Sequence, residues 1–220
     1  MTMREAVPYT TRVLRALESE DGGVRLRAAL AAGTRPDAAY VDALVARCAV
    51  EPEFGVREML TWALIRQPEE LTVPLLVAAL RTEPAQARAQ ALHTLSKIAE
   101  PATWEAITPA LLDDPDDEVA RTAWRTAVVL VPEGEEAALA VALAGQLGRG
   151  VPETRLSLSR ALLALGAAAR PVLAEKEKDA DPEVRAHALA TEDLRQDPSL
   201  GFAPVLEAAK RVVALGPDGP

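Results

Sequence analysis

The chain has one cysteine, Cys48, in 220 residues. One thiol makes no intramolecular disulfide and no cysteine metal cluster. Histidine is almost as scarce: His93 and His187 are the only two. They fall three repeats apart, too far at about 8–10 Å per packed helix layer to share a metal. Aromatics make up 3% of the residues, so Ala and Leu must fill the apolar positions. The lysines are Lys97, Lys176, Lys178 and Lys210, and the formal net charge is −9. An acidic chain argues against non-specific DNA or membrane binding, both of which need a basic surface. Apolar runs fall far short of the roughly 20 residues that cross a bilayer. The N-terminal MTMREAVPYTTRVLRALESE lacks the apolar core of a signal peptide, so a cytoplasmic protein is expected. P-loop, GxGxxG, HExxH and GxSxG patterns do not occur, and no cofactor is expected.

What the chain does have is a short pattern that returns about every thirty residues. It reads Val24-Arg25-x-x-Ala28, Val56-Arg57-x-x-Leu60, Ala87-Arg88-x-x-Ala91, Val119-x-x-x-Ala123, Thr154-Arg155-x-x-Leu158 and Val184-Arg185-x-x-Ala188. The intervals are 32, 31, 32, 35 and 30 residues. Gly and Pro breaks, from Asp21-Gly22-Gly23 to Asp181-Pro182, divide the chain into helix-sized pieces with apolar spacings of three and four. No piece alternates as a half-buried strand does. The reading is all-α.

The pieces pair. First helices are expected near 37–49, 68–81, 101–112 and 135–147. Second helices are expected near 22–32, 54–66, 85–99, 117–131, 152–165 and 182–195. A helix at about 198–215 would cap the last pair. Residues 1–215 then form one repeat domain, followed by a disordered tail at 216–220. Counting from each motif's first position, +4 and +8 carry apolar residues such as Leu60 and Leu64, Ala91 and Leu95, and Leu158 and Leu162. They should face the core. Acids precede each motif (Asp21, Glu53, Asp117, Glu118, Glu153, Asp181, Glu183) and suit the positive end of a helix. They also suit pairing with an Arg of the adjacent repeat, giving a ladder along the stack.

The run Asp181-Pro182-Glu183-Val184-Arg185-Ala186-His187-Ala188-Leu189 resembles the second helix of a HEAT repeat, of the short kind also found in phycobilin lyase-like proteins. Asp116-Asp117-Glu118-Val119 and Asp21-Gly22-Gly23-Val24-Arg25-Leu26-Arg27-Ala28-Ala29 are weaker copies. The resemblance covers roughly 8–215. It implies a right-handed α-solenoid of about six helical hairpins plus the capping helix, with the second helices lining a concave face. The fourth repeat departs from the pattern: Ala120 stands where Arg is expected, so the ladder should break or shift there.

Positions +3, +6 and +10 share a side away from the core face. They place Arg27, Met59, Trp62, Arg66, Gln90, His93, Lys97, Arg125, Arg160 and His187 on one strip, without an acidic residue at any of these positions. Arginine forks suit carboxylate or phosphate, and Trp62 offers an apolar anchor. Trp104 and Trp124 are expected in the packing between repeats. Cys48 reads as a buried, inert thiol, and Ser157 and Ser159 have no evident base. Asp113-Asp114-Pro115-Asp116-Asp117-Glu118 lacks the spacing and Gly of a calcium loop and reads as a turn with helix-start acids.

These features point to a non-catalytic scaffold that takes a protein partner, an acidic or extended segment, on its concave face. Two alternatives come from the resemblance. One is a nucleic-acid-binding protein of the HEAT-like alkylpurine DNA glycosylase kind. The other is a subunit of a bilin lyase.

Overall fold

The computed structural model describes residues 7–199 and 201–215. Among them every regular element is helical. The expected disordered tail at 216–220 lies outside the described residues. Contacts divide the chain into two compact units, Met1–Ala106 and Ile107–Pro220. A stacked array divides readily because each repeat touches only its neighbours.

Unit 1 holds α1 (Tyr9–Leu17), α2 (Gly22–Thr34), α3 (Val41–Val50), α4 (Phe54–Leu64), α5 (Glu69–Ala79) and α6 (Ala85–Ile98), with 3-10 turns at Ala38–Tyr40 and Pro101–Ala106. The hairpins are α1/α2, α3/α4 and α5/α6. The motif helices α2, α4 and α6 pack on one another in order, as do α1, α3 and α5, giving two layers. Unit 2 repeats the plan with α7 (Pro109–Leu112), α8 (Asp117–Leu130), α9 (Glu136–Ala144), α10 (Pro152–Ala164), α11 (Arg170–Lys176) and α12 (Pro182–Gln196). The helix α13 (Phe202–Leu215) packs on α12 as the expected cap. The result is six hairpins and a capping helix.

The sequence places a first helix over 101–112. The chain instead makes a 3-10 turn to Ala106 and restarts at Pro109. Thr108 is extended, as a residue before proline prefers, and that breaks the helix. The fourth first helix is therefore a single turn.

The core face follows the motif. Leu60, Leu64, Ala91, Leu95, Ala123, Ala127, Leu158 and Leu162 are all buried, each leucine contributing about 1.5–3 kcal/mol. Trp124 is fully buried, its indole N–H donating to the Leu112 carbonyl at 2.8 Å. Trp104 lies half-buried in the 3-10 turn. Asp21, Asp116 and Asp181 cap α2, α8 and α12 through their carboxylates, which satisfies otherwise unpaired amides at those helix starts.

The motif arginine has a role that the pattern alone does not reveal. Nη1 of Arg25 donates to the carbonyls of Ser19 and Glu20, that of Arg57 to Glu51 and Pro52, that of Arg88 to Thr82 and Glu83, and that of Arg185 to Asp179 and Ala180. Arg155 donates from Nε to the Gly150 carbonyl. Each guanidinium thus ties down the loop that leads into its own helix. The expected ladder is seen at Arg25–Glu53, 3.1 Å apart, and at Arg155–Glu183, 2.6 Å apart.

In the fourth repeat Ala120 is fully buried and has no such group. The loop carbonyl is served from the next repeat. Arg149 donates from Nη2 to the Asp114 carbonyl and pairs with Asp117 at 2.9 Å. Its guanidinium lies 6.0 Å from the Trp124 ring. Arg149→Ala is expected to destabilise the protein by about 1–3 kcal/mol, the range for a buried acceptor stripped of a charged donor. Arg149→Lys should fall between the two, since one ammonium lacks the fork. Thermal midpoints of the three proteins check the order.

Candidate functional site

The strip positions divide between the two units. In unit 1, Arg27, Arg66 and Lys97 are exposed, and Met59, Trp62, Gln90 and His93 are half-buried. They lie on α2, α4 and α6, which are neighbours in one layer, except Arg66, which sits in the turn just past α4.

Trp62 is set by a close approach of backbone to ring. A Cβ at position 33 would stand 2.2 Å from Cζ3 of Trp62 and 3.0 Å from the Ala63 Cα. Gly33 therefore opens the seat for the indole. Arg66 closes over the outer side: its guanidinium carbon is 5.1 Å from the Trp62 ring centroid, and its Nε donates to the Gly33 carbonyl at 2.7 Å. The indole is held between glycine backbone and a cation, with part of it reaching solvent. Leu30 adds exposed apolar surface on α2. Arg27 and Lys97 form no ion pair or hydrogen bond among the described residues.

The strip is less purely basic than the sequence suggests. Glu58 at +2 comes within 3.6 Å of the His93 Nε2. In unit 2, Arg125 is exposed but lies 3.6 Å from Glu118, which precedes the motif, and donates to the Thr122 hydroxyl at 2.9 Å. Arg160 is exposed on α10 and has neither an ion pair nor a hydrogen bond among the described residues.

His187 does not belong on the strip. It is 0% exposed. The capping helix covers this side of α12: Ala190, at +6, lies in the core with Phe202, Val205 and Leu206 of α13. The Phe202 ring stands edge-on to the imidazole at 5.8 Å. The +3 residues Thr122 and Ser157 are buried as well, so in unit 2 this position packs rather than faces solvent.

The expectation that Ser159 has no base nearby also needs correction. Its Oγ is 3.1 Å from the His187 Nε2 and 2.7 Å from the Thr191 hydroxyl. The pair is still not a nucleophile and its base. The Gly148 amide donates to His187 Nδ1 at 3.0 Å, so Nδ1 carries no proton. Nε2 therefore bears the hydrogen, and it points at the Arg155 carbonyl 3.0 Å away. A nitrogen that is already a donor accepts no proton from serine. Burial pushes the imidazole pKa down to about 4, offset only in part by the Arg155 carbonyl and Glu183. Gly148 has φ of +86°, and a Cβ there would meet Val184 at 3.4 Å. Glycine is what brings its N–H onto the ring.

Cys48 is buried, and desolvation pushes its thiol up to about 12. It lines an apolar cleft of about 280 Å³ with Leu76, Ala87 and Ala91. A thiol so far from ionising is no nucleophile near neutrality. Among the described residues, no three His, Cys, Asp or Glu side chains gather where they would hold a metal. No single described helix is long and apolar enough to cross a membrane.

The loop-tying arginines and Arg149 are the functional-looking residues whose role sequence reasoning missed. The available signal was the fixed offset of the motif arginine from the preceding loop, five and six residues back.

Residues 54–128 match the family model for HEAT repeats. Among solved structures, the chain is similar to an engineered protein, at 17% identity over 93% of this chain and 100% of that one, with a TM-score of 0.46. It is also similar to human deoxyhypusine hydroxylase in complex with glycerol, at 18% identity over 93% of this chain and 94% of that one, with a TM-score of 0.47. No curated protein matches this chain.

Proposed function

We propose, from the HEAT repeats at residues 54–128 as premise, that this chain is a non-catalytic scaffold that binds an acidic, extended segment of a partner protein. The surface is the α2, α4 and α6 face of unit 1. The observation that carries this reading is the seated Trp62 with its Arg66 cover, flanked by Arg27 and Lys97, two exposed cations with no ion pair or hydrogen bond among the described residues. Two helix-to-helix steps of roughly 8–10 Å match an extended segment of about six residues at roughly 3.3 Å each. Alternating acidic and apolar residues would set carboxylates on the cations and an apolar side chain against Trp62 and Leu30. The buried, donor-locked Ser159–His187 contact and the un-ionised Cys48 thiol support a role without chemistry.

Calorimetric titration with an acetylated peptide of alternating Glu and Leu is the test. Binding that weakens with salt, and weakens about tenfold in Arg27→Glu/Lys97→Glu, is the expected result. Equal binding of a Lys/Leu peptide would sink the charge assignment. Preference for duplex DNA over the acidic peptide would overturn the proposal in favour of a nucleic-acid ligand.

A further inference from the structure

A second site lies in unit 2 and shares no residue with the peptide surface proposed above. Where α10 meets the α12–α13 connection there is a cleft of about 360 Å³ lined by Leu156, Arg160, Leu163, Leu194, Pro198, Gly201 and Phe202. Leu156, Arg160 and Leu163 are four and three residues apart on α10, so they form one stripe, with the cation between two leucines. The opposite wall is the last turn of α12, through Leu194, and the first turn of α13, through Phe202; both side chains are buried.

The chemistry of the cleft is uneven. Its walls are hydrocarbon, and its one charged group is a guanidinium with no ion pair or hydrogen bond among the described residues. Two acids at the end of α12 and just beyond it have other partners: Glu192 pairs with Arg195, and Asp197 accepts from the Ser199 hydroxyl and amide. A purely apolar occupant would leave Arg160 stripped of water and unpaired, which is costly. An anion without an apolar part would leave the leucines wet. A carboxylate joined to a hydrocarbon chain satisfies both, with the two oxygens on the guanidinium fork. The volume sits at the low end of the roughly 300–1,000 Å³ of small-molecule sites.

We infer that this cleft binds an aliphatic monocarboxylate of medium chain length, its carboxylate on Arg160 and its chain between Leu156, Leu163, Leu194 and Phe202. The unit 1 proposal and this one stand or fall separately, because no residue is shared.

The test is calorimetric titration of the full chain with octanoate, octan-1-ol, acetate and a leucine-ending peptide with a free C-terminus. One octanoate should bind per chain, about tenfold or more tighter than octan-1-ol or acetate. Arg160→Gln should remove that preference for octanoate and leave octan-1-ol binding unchanged, while Arg160→Lys should keep part of it. Circular dichroism of the variants should match the wild type, since the side chain is exposed. Failure of octanoate to saturate overturns the assignment, as does equal binding of octan-1-ol or an unchanged Arg160→Gln. Tighter binding of the peptide than of octanoate overturns it in favour of a protein C-terminus.

Discussion

Glu51→Ala is expected to lower stability by about 3–5 kcal/mol, the cost of leaving a buried charge without its partner. Glu51 is 0% exposed and Arg25 4%. One carboxylate receives four donors: Arg25 Nε at 2.6 Å and Arg47 Nε at 2.9 Å on Oε2, and Arg25 Nη2 at 2.7 Å and the Glu53 amide at 3.0 Å on Oε1. Its backbone carbonyl also accepts from Gln86 at 2.8 Å and Arg57 at 3.0 Å. Groups on α2, α3, α4 and α6 thus converge on one residue. Burial alone would raise this carboxyl pKa, but the hydrogen bonds from Arg25 and the Glu53 amide and the charges of Arg47 and Arg25 hold it below the usual carboxylate range.

Glu51→Gln should cost nearly as much as Glu51→Ala, because its amide N–H₂ would face a guanidinium that only donates. Replacing Glu51 and Arg25 together by leucine and methionine should recover most of the loss. By contrast, breaking the more exposed Arg195–Glu192 pair should cost under about 1 kcal/mol. Urea unfolding of these variants separates the cases. Against a typical total of about 5–15 kcal/mol, the Glu51 effect is large enough to shift the midpoint plainly.

The second large effect is acid sensitivity through His187. Unfolded, this histidine titrates near 6.5, whereas in the fold burial lowers it to about 4. Between those values the unfolded chain binds more protons than the native one, so stability rises with pH across the window. Acidification from above 6.5 to about 4 therefore removes roughly 3 kcal/mol, at about 1.36 kcal/mol per unit, and the loss is complete below 4. The geometry gives the reason: a proton on Nδ1 would confront the Gly148 amide with another donor. His187→Asn keeps an acceptor near that amide but does not titrate. Its stability should be lower at neutral pH and flatter between pH 4 and 6.5. Denaturant unfolding at a series of pH values measures both slopes. A wild-type slope as flat as the variant's would contradict this account of His187.

The repeat, the hairpin pairing and the core face were legible because they follow from a period and from helical spacing. At 100° per residue, +4 and +8 stay within about 40° of each other, and every such pair from the second to the fifth repeat is buried. The strip was less legible. Position +3 lies about 60° from both +6 and the motif's first residue, on the border between exposed and packed. The neighbouring element decides it: α13 closes over His187, whereas Arg27 on α2 remains open. The role of Arg149 was hidden for a related reason. Its sequence position lies in the loop before α10, but its guanidinium serves the fourth repeat, 35 residues back at Asp114.

We propose a division of labour in unit 1: the +1 arginines hold the fold, while the exposed Arg27 at +3 and Lys97 at +10 would meet the partner. One side-by-side measurement tests it, pairing the thermal midpoint with Glu/Leu peptide affinity for Arg57→Gln and for Arg27→Glu/Lys97→Glu. Arg57→Gln frees the Glu51 and Pro52 carbonyls, so its midpoint should fall while its affinity stays near wild type. The double variant should keep its midpoint and lose about tenfold in affinity. The reverse pattern, or affinity that follows the midpoint in both, would contradict the account.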